Sequence, residues 1–275
     1  MAEPRYNITL NEEPIGAEVN MGVLANKKYV MLIDTERCVN CDACIVACRA
    51  EWGTPIGQSR NWVHEVTAEK EDGTPKISFL SGRCMHCDEP PCVPACPTGA
   101  SYKRDDGIVM VDPHLCTGCE FCLDACPYGA RFRNTSNGVI SKCNFCQPRI
   151  DAGESPACVN TCFTRALTFG DANDPNSAVS LLLKQGGWKR LTTDKINTGP
   201  NLYYSANTLL DAKVLPKPPK ITMAAHLLQD VINPGMKIGI GGMVGLFGAA
   251  GMVKLFRRKD ELAGKKEVTT YESDK

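Results

Sequence analysis

Histidine is scarce in this chain: four occur in 275 residues, His64, His86, His114 and His226. No glycine loop of the nucleotide-cradling kind is present. Histidine-centred catalysis and chemistry on a bound nucleotide therefore find no support, and no substrate site is legible. Aromatic residues make up 7% and do not interleave with a basic stripe, so the footprint of a nucleic-acid binder is missing. Met1 to Lys28 lack both the apolar core of a signal peptide and a twin-arginine pair, and read as an irregular arm against a partner.

Cysteine is the opposite case. Sixteen fall into four groups of four with none left over: Cys38-Cys41-Cys44-Cys48, Cys84-Cys87-Cys92-Cys96, Cys116-Cys119-Cys122-Cys126 and Cys143-Cys146-Cys158-Cys162. The first and third follow C-x2-C-x2-C-x3-C, the spacing of bacterial ferredoxins that hold 4Fe-4S cubanes. The second widens one gap to four residues, the fourth widens one to eleven, and all end on x3 before the last Cys. A cubane needs four thiolates aimed inward; a short loop supplies three, and the fourth comes from farther off. Disulfides would need eight bridges among cysteines crowded on tight loops, where the bridging geometry is poor. Zinc ribbons use two separated C-x2-C pairs and leave the third thiol of each C-x2-C-x2-C run idle. The fourth group alone, with its separated pairs, has a form that zinc accepts. The pattern predicts four 4Fe-4S clusters.

Lys plus Arg number 31 and Asp plus Glu 31, giving a formal charge of zero that counts every thiol as neutral. Sixteen thiolates around four oxidised cubane cores bring the loaded protein near about −8. Arg37, Arg49, Arg83 and Lys142 lie beside the cysteines; they either stabilise the reduced clusters or are ordinary surface charge. His86, inside the second group, either hydrogen-bonds a cluster or simply packs. His226 lies beside the C-terminal apolar stretch, where a quinone would be near.

With 43% apolar residues, the chain is long enough for one or two cored domains. A short β-rich run leads into each cysteine group: Tyr29 to Ile33, Ile77 to Leu80, Ile108 to Val111 and Gly138 to Ser141. After groups two and three come Cys96-Pro97-Thr98-Gly99-Ala100 and Cys126-Pro127-Tyr128-Gly129-Ala130, echoed by Cys162-Phe163-Thr164-Arg165-Ala166. The repeated unit is strand, cluster loop, short helix. Ala178 to Lys184 predicts a helix broken by Gly186-Gly187, and Val214 to Lys220 a stiff proline-rich linker. Helix is also expected over Ala224 to Ile232.

Ile238 to Val253 are sixteen residues without charge, bracketed by Lys237 and Lys254. As a helix they span about 24 Å against a hydrocarbon core of roughly 30 Å, and the flanking lysines can snorkel. Gly241, Gly245 and Ala249 form a small-residue face, and seven glycines between Gly235 and Gly251 suit a soluble helix poorly. The expectation is one membrane span. Six basic residues follow it and three precede it, so the positive-inside rule puts the tail in the cytoplasm and the cysteine-rich part outside. Since no signal segment is legible, export with a signal-bearing partner is expected, with the cytoplasmic face as the alternative.

The four groups in this order, with Cys87-x4-Cys92 and Cys146-x11-Cys158, resemble the four-cluster electron-transfer subunits of complex iron–sulfur molybdoenzymes. Polysulfide, tetrathionate and DMSO reductases and respiratory formate dehydrogenase have such subunits. The resemblance covers about Tyr29 to Asp174, including Cys158-Val159-Asn160-Thr161-Cys162 and Ala166-Leu167-Thr168-Phe169-Gly170-Asp171. It implies an α+β, tandem ferredoxin-like domain (double two-cluster) with a C-terminal membrane helix. The expected division is an arm at 1–28, the four-cluster domain at 29–175, an extension and linker at 176–220, and the membrane-anchoring helix and tail at 221–275. It also implies crossed ligation, in which the last Cys of each group serves its partner's cluster. The sets are then Cys38, Cys41, Cys44 with Cys162; Cys143, Cys146, Cys158 with Cys48; Cys84, Cys87, Cys92 with Cys126; and Cys116, Cys119, Cys122 with Cys96. Some relatives replace one ligand and hold a 3Fe-4S cluster; here all sixteen are cysteine, so four cubanes are expected.

The function implied is a non-catalytic relay between a molybdopterin-type catalytic subunit, carrying molybdenum or tungsten, and an integral membrane subunit that binds quinone or haem. Relay subunits of a membrane hydrogenase or a cytochrome–quinone complex, and a freestanding polyferredoxin, remain the alternatives. The linker, the arm and the apolar tail speak against the last.

Overall fold

A computed structural model describes residues 26–69, 73–207 and 214–219. The expected arm, the helix over Ala224 to Ile232, the membrane span and His226 lie outside the described residues.

Strand β1, Tyr29–Ile33, is an unbroken apolar run buried at every position. Such a run suits a strand covered on both faces. Tyr29, Met31 and Ile33 face the main core, while Val30 and Leu32 pack with Val179 on the other side. The four-stranded sheet has the order β8-β1-β10-β9, with β8 at Leu167–Asp171, β9 at Trp188–Arg190 and β10 at Leu202–Ser205. β8 runs antiparallel to β1 (Ile33 opposite Leu167), and β10 runs parallel to it (Ile33 opposite Tyr204). The segment after 175 therefore contributes two strands to the sheet that begins with β1.

Three hairpins complete the β structure: β2 (Asn61–Glu69) with β3 (Pro75–Arg83), β4 (Ser101–Lys103) with β5 (Val109–Val111), and β6 (Phe132–Arg133) with β7 (Ile140–Ser141). The helices are short: α1 Ala43–Trp52, α2 Phe121–Asp124, α3 Gln147–Asp151, α4 Ala157–Asn160 and α5 Ala178–Gln185. Helix α5 starts on Ser177, whose hydroxyl accepts from the Ser180 amide at 3.1 Å, and stops at Gly186. Among the described residues no helix is long and apolar enough to cross a membrane.

The repeat seen in the sequence is physical. Strands β1, β3, β5 and β7 each deliver one cysteine group. The residue just before the second Cys is left-handed in all four groups: Asn40, His86, Gly118 and Phe145, with φ of 53°, 44°, 67° and 57°. Widening a later gap in groups two and four has left this first curl unchanged. The exits repeat too. Gly99, Gly129 and Arg165 are left-handed, and their amides donate to the carbonyls of Cys96, Cys126 and Cys162 at 3.4, 3.3 and 3.0 Å.

Candidate iron–sulfur sites

The curled loops turn thiols inward, and the helices bring in the later ones. Cys44 and Cys48 lie on α1, Cys122 on α2 and Cys158 on α4. All sixteen thiols are free.

Their neighbours mix the groups in a regular way. Burial is the main influence raising Cys38, and the thiols that add to it are Cys44, Cys162 and Cys41. Burial pushes Cys48 up to about 12, reinforced by Cys158 and Cys146. Cys48 also lines one cavity together with Cys143, Cys146 and Cys158. Cys87 is held at about 12 by burial, with Cys84, Cys126 and Cys92 the thiols around it. A second cavity is lined by Cys96, Cys116, Cys119 and Cys122. The two cavities are alike in size, each with about 290 Å³ of atom-free space, part of it open to solvent. In every case three thiols of one group stand with the last thiol of another.

The chemistry of these surroundings fits an anionic cluster. A neutral thiol raised by burial is a poor free nucleophile, whereas metal coordination deprotonates it outright. Among the described residues no three Cys, His, Asp or Glu side chains converge closely enough for one metal ion. A cubane asks for a wider spread than zinc does, because each thiolate takes its own iron. On the two arginines that reach thiol sulfur, further buried donors are without a protein partner: Arg83 Nε, and Arg131 Nε and Nη1. The sulfide corners of a cubane would accept such N–H groups.

Several donors already reach thiol sulfur. Arg83 Nη1 donates to Cys158 at 3.0 Å, Arg131 Nη2 to Cys92 at 2.7 Å, and the Thr198 hydroxyl to Cys87 at 3.0 Å. Trp52 Nε1 donates to Cys146 at 3.4 Å. Burial opposes the charge on Arg83, yet the thiolates of Cys158, Cys143 and Cys44 outweigh it and hold the guanidinium above its ordinary range. Arg131 is raised in the same way, against burial, by Cys92, Cys122, Cys84 and Cys126.

The basic residues singled out from sequence divide. Arg83 and Lys142 are buried beside the thiols. Arg37 pairs with Asp34 at the surface, and Arg49 donates to the Gln58 carbonyl, so both serve the chain itself. His86 packs: its ring stacks on Phe145 with centroids 3.7 Å apart, and Nδ1 accepts the Val109 amide at 3.0 Å. Arg131 and Thr198 escaped the sequence reading. Arg131 follows directly on the repeated Cys126-Pro127-Tyr128-Gly129-Ala130, which was the available signal; Thr198 carries none.

Two family models, each described as a 4Fe-4S dicluster domain, match residues 37–100 and 75–172. The B subunit of tetrathionate reductase from Salmonella typhimurium is 42% identical over 69% of this chain and 76% of its own length. The B component of polysulfide reductase from Wolinella succinogenes is 41% identical over 66% of this chain and 95% of its own. The thiosulfate reductase electron transfer subunit PhsB of Salmonella typhi is 47% identical over 54% of this chain and 79% of its own. Two dicluster domains carry four 4Fe-4S clusters, and sixteen cysteines are there to hold them. The chain belongs to the iron–sulfur electron-transfer subunits of the molybdoenzyme family, a conductor rather than a catalyst.

Proposed function

We propose that this chain relays electrons between a catalytic subunit holding molybdenum or tungsten on a bis-pterin cofactor and an integral membrane subunit that binds quinone or haem. The observation that carries the reading is the mixing of cysteine groups: three thiols of one group meet the last thiol of another in all four sets. Accordingly Cys38, Cys41, Cys44 and Cys162 hold one cluster, and Cys143, Cys146, Cys158 and Cys48 the next. Cys84, Cys87, Cys92 and Cys126 hold the third, and Cys116, Cys119, Cys122 and Cys96 the fourth. Each bound cluster supplies a one-electron carrier. The protein's part is to hold the carriers, exclude water and set their potentials.

The names of the relatives support a reductase complex with a separate catalytic subunit. Residues 238–253 are assigned to a membrane helix packing on the membrane subunit, with the four-cluster domain on the periplasmic side of the inner membrane. That side rests on the excess of basic residues after the apolar run.

Metal analysis of the complex purified through a tag on this chain tests the partner. Molybdenum or tungsten near one per chain is expected alongside the iron. Nickel in its place would point to a hydrogenase. Recovery of the chain alone as a soluble monomer would point to a freestanding carrier.

A further inference from the structure

Three cations are buried among the cysteine sets: Arg83 is 0% exposed, Lys142 3% and Arg131 6%. Each lies at a different pair of sets. Arg83 donates to Cys158 Sγ at 3.0 Å and to Ser81 Oγ at 2.5 Å, and that hydroxyl is 4.0 Å from Cys44 Sγ. It so bridges the set completed by Cys48 and the set completed by Cys162. Arg131 repeats the device: Nη2 donates to Cys92 Sγ at 2.7 Å and to Ser101 Oγ at 2.9 Å, and the Ser101 amide donates to Cys96 Sγ at 3.4 Å. It bridges the sets completed by Cys126 and by Cys96. Lys142 stands between these two bridged pairs: it precedes Cys143 directly and reaches Val109, which packs with Cys92 and Cys122. Burial pulls its ammonium below the ordinary range, and the thiols of Cys84 and Cys143 oppose that. Its ammonium is fixed by the carbonyls of Val109 and Cys143.

The three contacts string the sets in one line. The end sets are the more open: Cys41 is exposed, and Cys38, Cys44, Cys162, Cys96, Cys116 and Cys119 are half-buried. In the two middle sets Cys48, Cys146, Cys158, Cys84, Cys87 and Cys92 are buried and Cys143 and Cys126 half-buried, whereas in the end sets only Cys122 is buried.

We propose that Arg83, Lys142 and Arg131 are junction residues of the relay, each holding one positive charge that two successive clusters share. The proposal rests on the crossed ligand sets above and adds the side chains that set the energetics. Transfer across a junction oxidises one cluster by one electron and reduces the next by one, with no bond made or broken and no proton moved. A cation on one side only would favour that cluster's reduced form and trap the electron. Placed between the two, the charge stabilises the electron before and after the move by similar amounts. It also screens the repulsion between two sites of like charge in a medium of low dielectric. Ser81 and Ser101 keep the two guanidinium groups centred.

The test is an EPR-monitored redox titration of the purified complex carrying Arg83→Gln, Lys142→Gln or Arg131→Gln. Each variant is expected to weaken reduction of its two flanking clusters by about tenfold, about 59 mV for a one-electron couple, and to leave the other two within about threefold. The charge-keeping variants Arg83→Lys, Lys142→Arg and Arg131→Lys are expected to hold all four within about threefold. If a glutamine variant fails to assemble, the charge-keeping one decides alone, and a tenfold fall in it overturns the proposal. A shift confined to one cluster, or spread evenly over four, also overturns it. Four intact clusters with unmoved potentials would remove the junction role and leave the ligand sets standing. Those sets are tested separately, by which cluster changes in Cys162→Ser.

Discussion

A cysteine in this chain stands beside the thiols of a loop to which it does not belong, and the ligand sets proposed from that are testable at single residues. Cys162 sits on the exit of group four, yet its neighbours are Cys38 and Cys44. Cys162→Ser is expected to alter the EPR signal of the cluster held by Cys38, Cys41 and Cys44, leaving the cluster of Cys143, Cys146 and Cys158 unchanged. Loss of the second signal with retention of the first would reverse the ligand sets. Composition is a further residue-scale test. Iron and acid-labile sulfide should each approach about sixteen per chain, because each of four cubanes brings four of both. About twelve irons with stoichiometric zinc would hand the fourth group to zinc. The cysteines were legible because their spacing is their function. Arg131 and Thr198 were not: a charge reads as surface until the fold buries it, and Thr198 reaches Cys87 across 111 residues of sequence.

At the scale of elements, the cluster loops depend on backbone fit more than on side-chain packing. Gly118 is left-handed, and a Cβ there would stand 2.2 Å from the Gly138 carbonyl oxygen, a backbone atom with little room to yield. Gly118→Ala is expected to cost about 2 kcal/mol and to bleach the cluster absorbance at a lower temperature, through the loop of Cys116 and Cys119. Helix α5 offers the contrast. Ser177→Ala removes its cap and should cost about 1 kcal/mol, with the four potentials unmoved because α5 touches no thiol set. The strands leading into the cysteine groups and α5 were readable, since apolar runs and Gly186-Gly187 mark them locally. β9 and β10 were not. Trp188–Arg190 and Leu202–Ser205 are short and mixed; Leu202–Ser205 becomes a strand by pairing along β1, and Trp188–Arg190 by pairing along β10, a tertiary cause.

The whole molecule is organised around buried charge. With 0%, 3% and 6% exposure, Arg83, Lys142 and Arg131 are buried beside the thiols, and a buried charge needs a counter-charge, which anionic clusters supply. Oxidative removal of iron with a chelator is therefore expected to abolish near-UV circular dichroism and cooperative unfolding together; an iron-free chain that keeps both would contradict this. Topology belongs to this scale too. Protease added to intact spheroplasts should digest the four-cluster domain, and its survival until the inner membrane is breached would place it on the cytoplasmic face. The central claim is that the chain conducts through four one-electron centres, and coulometric reduction of the assembled complex measures it most directly. Poised stepwise towards about −700 mV, the chain should take up about four electrons beyond those of its partners, one for each cubane. An uptake of three or fewer by a chain with its full iron content would contradict a four-cluster relay.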